Sequence, residues 1–251
     1  LLSQEAGSPI ASLEGYLFPA GYSLKMSMDE KTVVEVMFHR MKDEQTEPRM
    51  KRALELGMSW HQVLTLASMV QKEAMQEGEM PLIAGVFHRR LKLGMPLQSD
   101  PTAIYGFKDM REGITGKDLR RKSPYNTYQN RGLPPGPICN PGTAAIQAAL
   151  YPVDTEYLYF VADGHGRHLF AKNYQEHAVN VAAYRRGLRA ARAEAGAEAE
   201  AGPGIDLEAE WQRLIEEELK LEQEGQPPTA VLEAAPPPAL TPAPAPGGTA
   251  P

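Results

Sequence analysis

A single cysteine, Cys139, among 251 residues excludes an internal disulfide and any zinc site built on cysteines. Long apolar runs are missing as well. No stretch approaches the roughly 18 consecutive apolar residues of a membrane-spanning helix, and no secretory leader is visible. The six histidines contain no His-Glu-x-x-His pattern, and the close pair His165 and His168 has no carboxylate spaced in sequence to join it. Neither a Gly-x-Ser-x-Gly elbow nor a Walker loop occurs, and Asp163-Gly164-His165-Gly166 reads as hairpin punctuation rather than a phosphate cradle. Metal, serine-hydrolase and nucleotide chemistry therefore have no support, and no metal or other cofactor is expected.

What is present suits one good core: 42% apolar and 23% charged residues, with a mean hydropathy of −0.40. The net charge of −6 hides a division. From Ala191 onward there are 12 acidic and 3 basic residues, so residues 1–190 carry 23 basic and 20 acidic ones. That mild basic excess suits an anionic polymer but falls far short of a nucleic-acid footprint. Ten of the 22 prolines lie beyond residue 200, in an Ala/Pro-rich, acidic stretch. Two regions are expected: a folded domain over residues 1–190, and a disordered tail over 191–251 interrupted by one amphipathic helix at about 206–222.

Helices are predicted from Asp29 as N-cap to about Met41, from Pro48 to Leu56, and from Pro81 to the basic turn of Arg89, Arg90 and Lys92, which complements the helix dipole. Ser59 and Gln62 form a capping box opening another helix, whose pattern lasts to about Glu77. A short helix over 143–150, strands over 157–161 and 167–170, and a last helix from about Asn173 to Ala190 complete an α+β reading: a mainly helical domain with a small antiparallel sheet. Residues 95–142 have little periodicity and read as a long, ordered functional loop.

The residue that most needs explanation is Glu73. It lies in the run Leu66-Ala67-Ser68-Met69-Val70-Gln71-Lys72-Glu73-Ala74, at the margin of a broad apolar arc. Half sheltered there, its carboxyl pKa should rise, as a general acid near neutral pH requires. Periodicity alone favours the plainer reading of a charge that snorkels beside Lys72 or pairs with the next helix. Three other segments hold what a sugar site would use: Glu14 with Tyr16 and Phe18; Gln98-Ser99-Asp100-Pro101-Thr102 with Tyr105; and Tyr125-Asn126-Thr127-Tyr128 leading into Gly132-Leu133-Pro134-Pro135-Gly136. Amides and carboxylates match vicinal hydroxyls, and aromatic faces stack on pyranose rings, although the same residues also suit turns and loop staples.

In order along the chain stand Leu13-Glu14-Gly15-Tyr16-Leu17-Phe18-Pro19, Ala67-Ser68-Met69-Val70-Gln71-Lys72-Glu73, Gly94-Met95-Pro96-Leu97-Gln98-Ser99-Asp100-Pro101-Thr102, Tyr125-Asn126-Thr127-Tyr128, Gly132-Leu133-Pro134-Pro135-Gly136 and Tyr157-Leu158-Tyr159-Phe160-Val161-Ala162-Asp163-Gly164. Together, over about residues 11–186, they resemble the YceG-like endolytic murein transglycosylases, the MltG family. The resemblance implies an enzyme that cuts peptidoglycan strands internally between N-acetylmuramic acid and N-acetylglucosamine, leaving 1,6-anhydromuramic ends. It implies Glu73 as the catalytic acid and then base. A carboxylate partner is not required, because the muramic C6 hydroxyl attacks its own anomeric carbon.

Gln98, Asp100, Tyr125, Asn126, Thr127 and Glu14 match family motifs and are expected to bind sugar or steady Glu73. Gln71 departs from the family's usual Glu-Lys-Glu and removes a neighbouring charge. Family members act at the outer face of the cytoplasmic membrane, held by an N-terminal helix and carrying a LysM-like subdomain. The chain begins at Leu1 without methionine and is expected to be a fragment lacking both. Cell-wall synthases are the expected protein partners. Two alternatives stay open: a lysozyme-like muramidase using Asp100 as second carboxylate, and a catalytically silent glycan-binding scaffold.

Overall fold

The computed structural model describes residues 12–109 and 113–194. Residues 191–194 of the expected tail continue the last helix, and the rest of it, with its expected helix at 206–222, lies outside the described residues. Asp29 caps α1 (Glu30–Lys42) by accepting from Thr32 N, and Pro48 opens α2 (Glu47–Glu55). The capping box of Ser59 and Gln62 starts α3 (Trp60–Glu73). After a 3₁₀ turn (Glu77–Glu79) follow α4 (Met80–Lys92), α5 (Asp100–Ile104), α6 (Gly116–Leu119) and α7 (Thr143–Leu150). A hairpin of β1 (Tyr159–Ala162) and β2 (His168–Ala171) precedes α8 (Tyr174–Glu194). Its register sets Tyr159 against Ala171 and Ala162 against His168. Asp163 Oδ1 accepts from His165 N and Arg167 N to close the turn. The α+β architecture is as the sequence indicates, with strands displaced by one or two residues.

α3 is the centre of the molecule. Every residue from Val63 to Val70 is buried, so the apolar surface is a full cylinder rather than the arc that periodicity suggests. Its polar members are satisfied locally, Thr65 Oγ1 donating to His61 O and Ser68 Oγ to Thr65 O. α4 and α7 pack against it. The alanines of α7 (Ala145, Ala148 and Ala149) are buried and leave room for close approach. The segment Leu13–Phe18 closes over the start of α3. His61 Nε2 donates to Pro135 O, which leaves Nδ1 to accept from Tyr16 OH at 2.6 Å.

α3 ends at Glu73, four residues short of expectation, because Ala74 turns to an extended conformation (ψ 125°). The chain must reverse there so that α4 can lie back on α3 and α7. The expected lack of a partner for the His165 and His168 pair is also corrected: Glu79, from the 3₁₀ turn, accepts from His168 N and meets His168 Nδ1 at 3.0 Å. Sequence spacing could not reveal a partner 89 residues away.

Glu44 joins three helices. It takes Arg40 Nη1 at 2.9 Å, Arg49 Nη1, and Thr143 Oγ1 at 3.3 Å. Burial alone would raise its pKa, but the two guanidiniums outweigh burial and hold it below the usual carboxylate range.

Gly85 lets two backbone segments approach closely. A Cβ there would collide with the Val153 carbonyl oxygen, beside Val153 N→Pro81 O at 2.9 Å. Gly85→Ala gains helix propensity yet is expected to cost about 2–3 kcal/mol net through overpacking. Urea denaturation checks this, and a stabilised variant would refute the close contact.

Candidate functional site around Glu73

Glu73 is placed by α3 at the point where a buried helix runs out. The end of a helix carries the negative pole of its dipole, an unfavourable place for a carboxylate. Some of the side chain meets solvent, while protein atoms crowd the carboxyl from most sides. Burial, and then the charge of Asp100, push its pKa up to about 8, against the lowering effect of one hydrogen bond from Ser99. Near neutral pH the group is therefore mostly a carboxylic acid.

That hydrogen bond, Ser99 Oγ to Glu73 Oε1 at 2.5 Å, is the end of a hydroxyl network. Thr102 Oγ1 donates to Ser99 O at 2.6 Å, so its one proton is spent. In the 2.8 Å contact between Thr102 Oγ1 and Thr127 Oγ1, Thr127 must therefore be the donor. Thr127 Oγ1 in turn accepts from Ser99 N, and Thr102 Oγ1 accepts from Thr127 N. Ser99, Thr102 and Thr127 are all buried. Each hydroxyl proton has one place to go, which fixes Ser99 under the acid.

Asp100 opens α5 and accepts from Tyr128 OH at 2.6 Å. Burial raises its pKa, and the Tyr128 hydroxyl partly offsets this. Tyr128 is itself held well above its ordinary pKa by burial and by the Asp100 charge, so it stays a donor. Asn126 sets the loop beneath: Nδ2 donates to Leu119 O and Arg121 O, and Oδ1 accepts from Tyr128 N. At 0% exposure, Asn126 is placed to steady the site rather than to touch sugar, and buried Thr127 likewise.

Gln98 is the one non-glycine among the described residues with a left-handed backbone, φ 50°. Such a conformation persists only where its surroundings impose it. Here they do. Gln98 N donates to Thr127 O, while its side-chain oxygen takes Arg90 Nη1 at 2.8 Å. Arg90, 5% exposed, also donates to Pro96 O and, through Nε, to Leu158 O at 2.6 Å, and it lies 4.9 Å from the Tyr159 ring centroid. One guanidinium thus ties the strap before Ser99 to the strand that leads into the hairpin.

Glu14 and Tyr125 have Tyr105 as a common neighbour. Tyr105 OH donates to Glu14 Oε2 at 3.4 Å, and the Tyr105 and Tyr125 rings lie 4.6 Å apart. Neither Glu14 nor Tyr125 bonds to Glu73. Gln71 Oε1 accepts from Gly142 N at 3.1 Å, so its amide holds the start of α7.

Hydrogen bonds and charge thus join Gln98, Asp100, Asn126 and Thr127 in one framework around Glu73, while Glu14 and Tyr125 contact Tyr105. Ser99, Thr102 and Tyr128 lie within the segments the sequence marks for a sugar site without being singled out in them, and Arg90 lies outside those segments. Arg90 left a trace: it falls three and four residues after Phe87 and Val86, on a buried helical face where a charge needs partners.

Known proteins share this chain's sequence and fold. A profile of the YceG-like family matches residues 2–183. Relatives named endolytic murein transglycosylase are 42% identical over 168 residues in Bacillus subtilis (strain 168) and 38% identical over 176 residues in Streptococcus pneumoniae serotype 2 (strain D39). The first alignment covers 66% of this chain and 46% of the relative, and the second 68% and 32%. The chain thus spans less than half the length of these curated relatives. A crystal structure of a yceG-like protein from Listeria monocytogenes matches with a TM-score of 0.61 at 40% identity, over 66% of this chain and 54% of that one. With a family profile matched across most of its length and a solved relative sharing its fold, the chain belongs to the YceG-like family.

Proposed function

We propose that this chain is the catalytic part of an endolytic peptidoglycan lytic transglycosylase, with Glu73 as its acid and base. The observation that carries the proposal is the carboxyl of Glu73, crowded by protein atoms at the end of α3 and held by Ser99, where burial raises its pKa. The names of the relatives supply the substrate class. Glu73 gives its proton to the glycosidic oxygen between N-acetylmuramic acid and N-acetylglucosamine, and the C1–O bond breaks with positive charge developing at C1. The resulting glutamate takes the proton of the muramic C6 hydroxyl as O6 bonds to C1, closing the 1,6-anhydro ring. An internal nucleophile removes much of the entropic cost of bringing in water. Asp100 keeps Glu73 protonated and faces the developing cation with negative charge. Action would be at the cell envelope, with cell-wall synthases as protein partners. No described helix is long and apolar enough to cross a membrane.

A second reading, a muramidase that uses water, draws on the same Asp100, a second carboxylate whose charge reaches Glu73. Mass spectrometry of digested murein separates them: anhydromuramic ends are expected, and reducing muramic ends would favour hydrolysis. Asp100→Asn sharpens the test. On the lyase reading it retains anhydro products while Glu73 loses a raising influence, so the alkaline limb of the pH–rate profile moves to lower pH. On the hydrolase reading Asp100→Asn abolishes cleavage at every pH.

A further inference from the structure

α3 ends with Lys72 and Glu73 as consecutive residues, about 100° apart around the helix. Glu73 meets Ser99. Lys72 instead lines a cavity of about 190 Å³ with Pro101, Ile104, Tyr105 and Ile138. The two places share their walls, since α5 gives Asp100 to the acid, and Pro101 and Ile104 to the cavity. The other polar groups of the lining are occupied. Tyr105 donates to Glu14, Lys108 pairs with Asp118, and Asp109 has a partner of its own. Lys72 is exposed and makes no hydrogen bond or ion pair with a described residue.

The sugar rings of murein are neutral, and its anionic groups are carboxylates carried on short carbon chains. We propose that this cavity is a substrate subsite that takes a carboxylate of the murein strand, pairing it with Lys72 Nζ and covering the adjoining carbons with Pro101, Ile104 and Ile138. The proposal rests on the catalytic reading of Glu73 given above. Two parts of the strand supply such a group: the lactyl carboxylate of peptide-free muramic acid, and the carboxylates of the stem peptide. A stem peptide would make the enzyme sensitive to how a strand is substituted, while a lactyl group would favour strands already stripped.

The test compares wild-type protein, Lys72→Met and Lys72→Arg on peptide-bearing strands and on strands freed of peptide by an amidase, with kcat and KM measured on each. Lys72→Met is expected to raise KM roughly tenfold on one strand type, with kcat little changed and Lys72→Arg restoring most of the loss. A rise on peptide-bearing strands alone assigns the stem peptide, and a rise on peptide-free strands alone assigns the lactyl group. Equal changes on both, no change, or a change confined to kcat would overturn the subsite and leave the role of Glu73 standing. A wild-type protein that cuts neither strand would overturn the catalytic reading itself.

Discussion

Glu73→Gln is expected to remove strand cleavage, by roughly 10³-fold or more, while leaving a folded protein. The amide keeps the shape of the side chain and a hydrogen bond from Ser99, but it has no acidic proton to give. The same substitution should raise stability at alkaline pH. A carboxyl whose folded pKa is about 8 binds a proton that the unfolded chain, near pKa 4.5, has already lost. Its contribution is therefore fully present below about pH 4.5 and disappears as pH rises through 8. With a discount for the solvent that reaches the group, Glu73→Gln should exceed wild type by about 1–3 kcal/mol at pH 8 and match it at pH 4. Denaturation at the two pH values and product assays check both halves. Retained cleavage would mean that the acid lies elsewhere, and a variant less stable than wild type at pH 8 would mean that Glu73 is held as an anion.

Arg90→Met is expected to cost about 2–4 kcal/mol, the scale of leaving several buried acceptors without their donor. Met replaces the stem of the side chain, but the carbonyls of Pro96 and Leu158 and the amide oxygen of Gln98 lose their donor. Cleavage should fall further than the unfolded fraction explains, because Gln98 is no longer pressed into its left-handed backbone and Ser99 loses its fixed seat. Lysine should not rescue, since a single ammonium cannot reach three acceptors spread over two segments at once. Urea titration, with rates taken where the variant remains folded, decides it. A loss under about 1 kcal/mol would show that the strap is held without the guanidinium.

Much of this was legible before any coordinates. Capping residues and periodicity located the main helices, because those signals act over a few residues: Asp29 on Thr32, Ser59 with Gln62. Glu73 stood out because a charge in an apolar run is costly. What sequence could not give was the partner of each polar group. The plain readings of Arg90 as dipole complement and of Asp163 as a turn former rested on neighbours in sequence, and only the second needed nothing more. Arg90 is explained by carbonyls at 96 and 158, and Ser99 by a hydroxyl at 127, contacts that depend on how the long loop folds back on α3 and α4. The end of α3 was misplaced for the same reason. Local propensity would have carried the helix through Met75 and Gln76, and the packing of α4 stopped it.

The bond between Ser99 and Glu73 also selects an oxygen. A carboxylic acid accepts best at its carbonyl oxygen, so with Oε1 taking the serine proton, the acidic hydrogen resides on Oε2. On the proposed chemistry that one atom gives a proton to the departing sugar and later receives one from the C6 hydroxyl. Both partners approach Oε2, the oxygen that does not accept from Ser99. On that proposed chemistry, the severed half of the strand gives up its contact with Oε2 before the C6 hydroxyl takes its place.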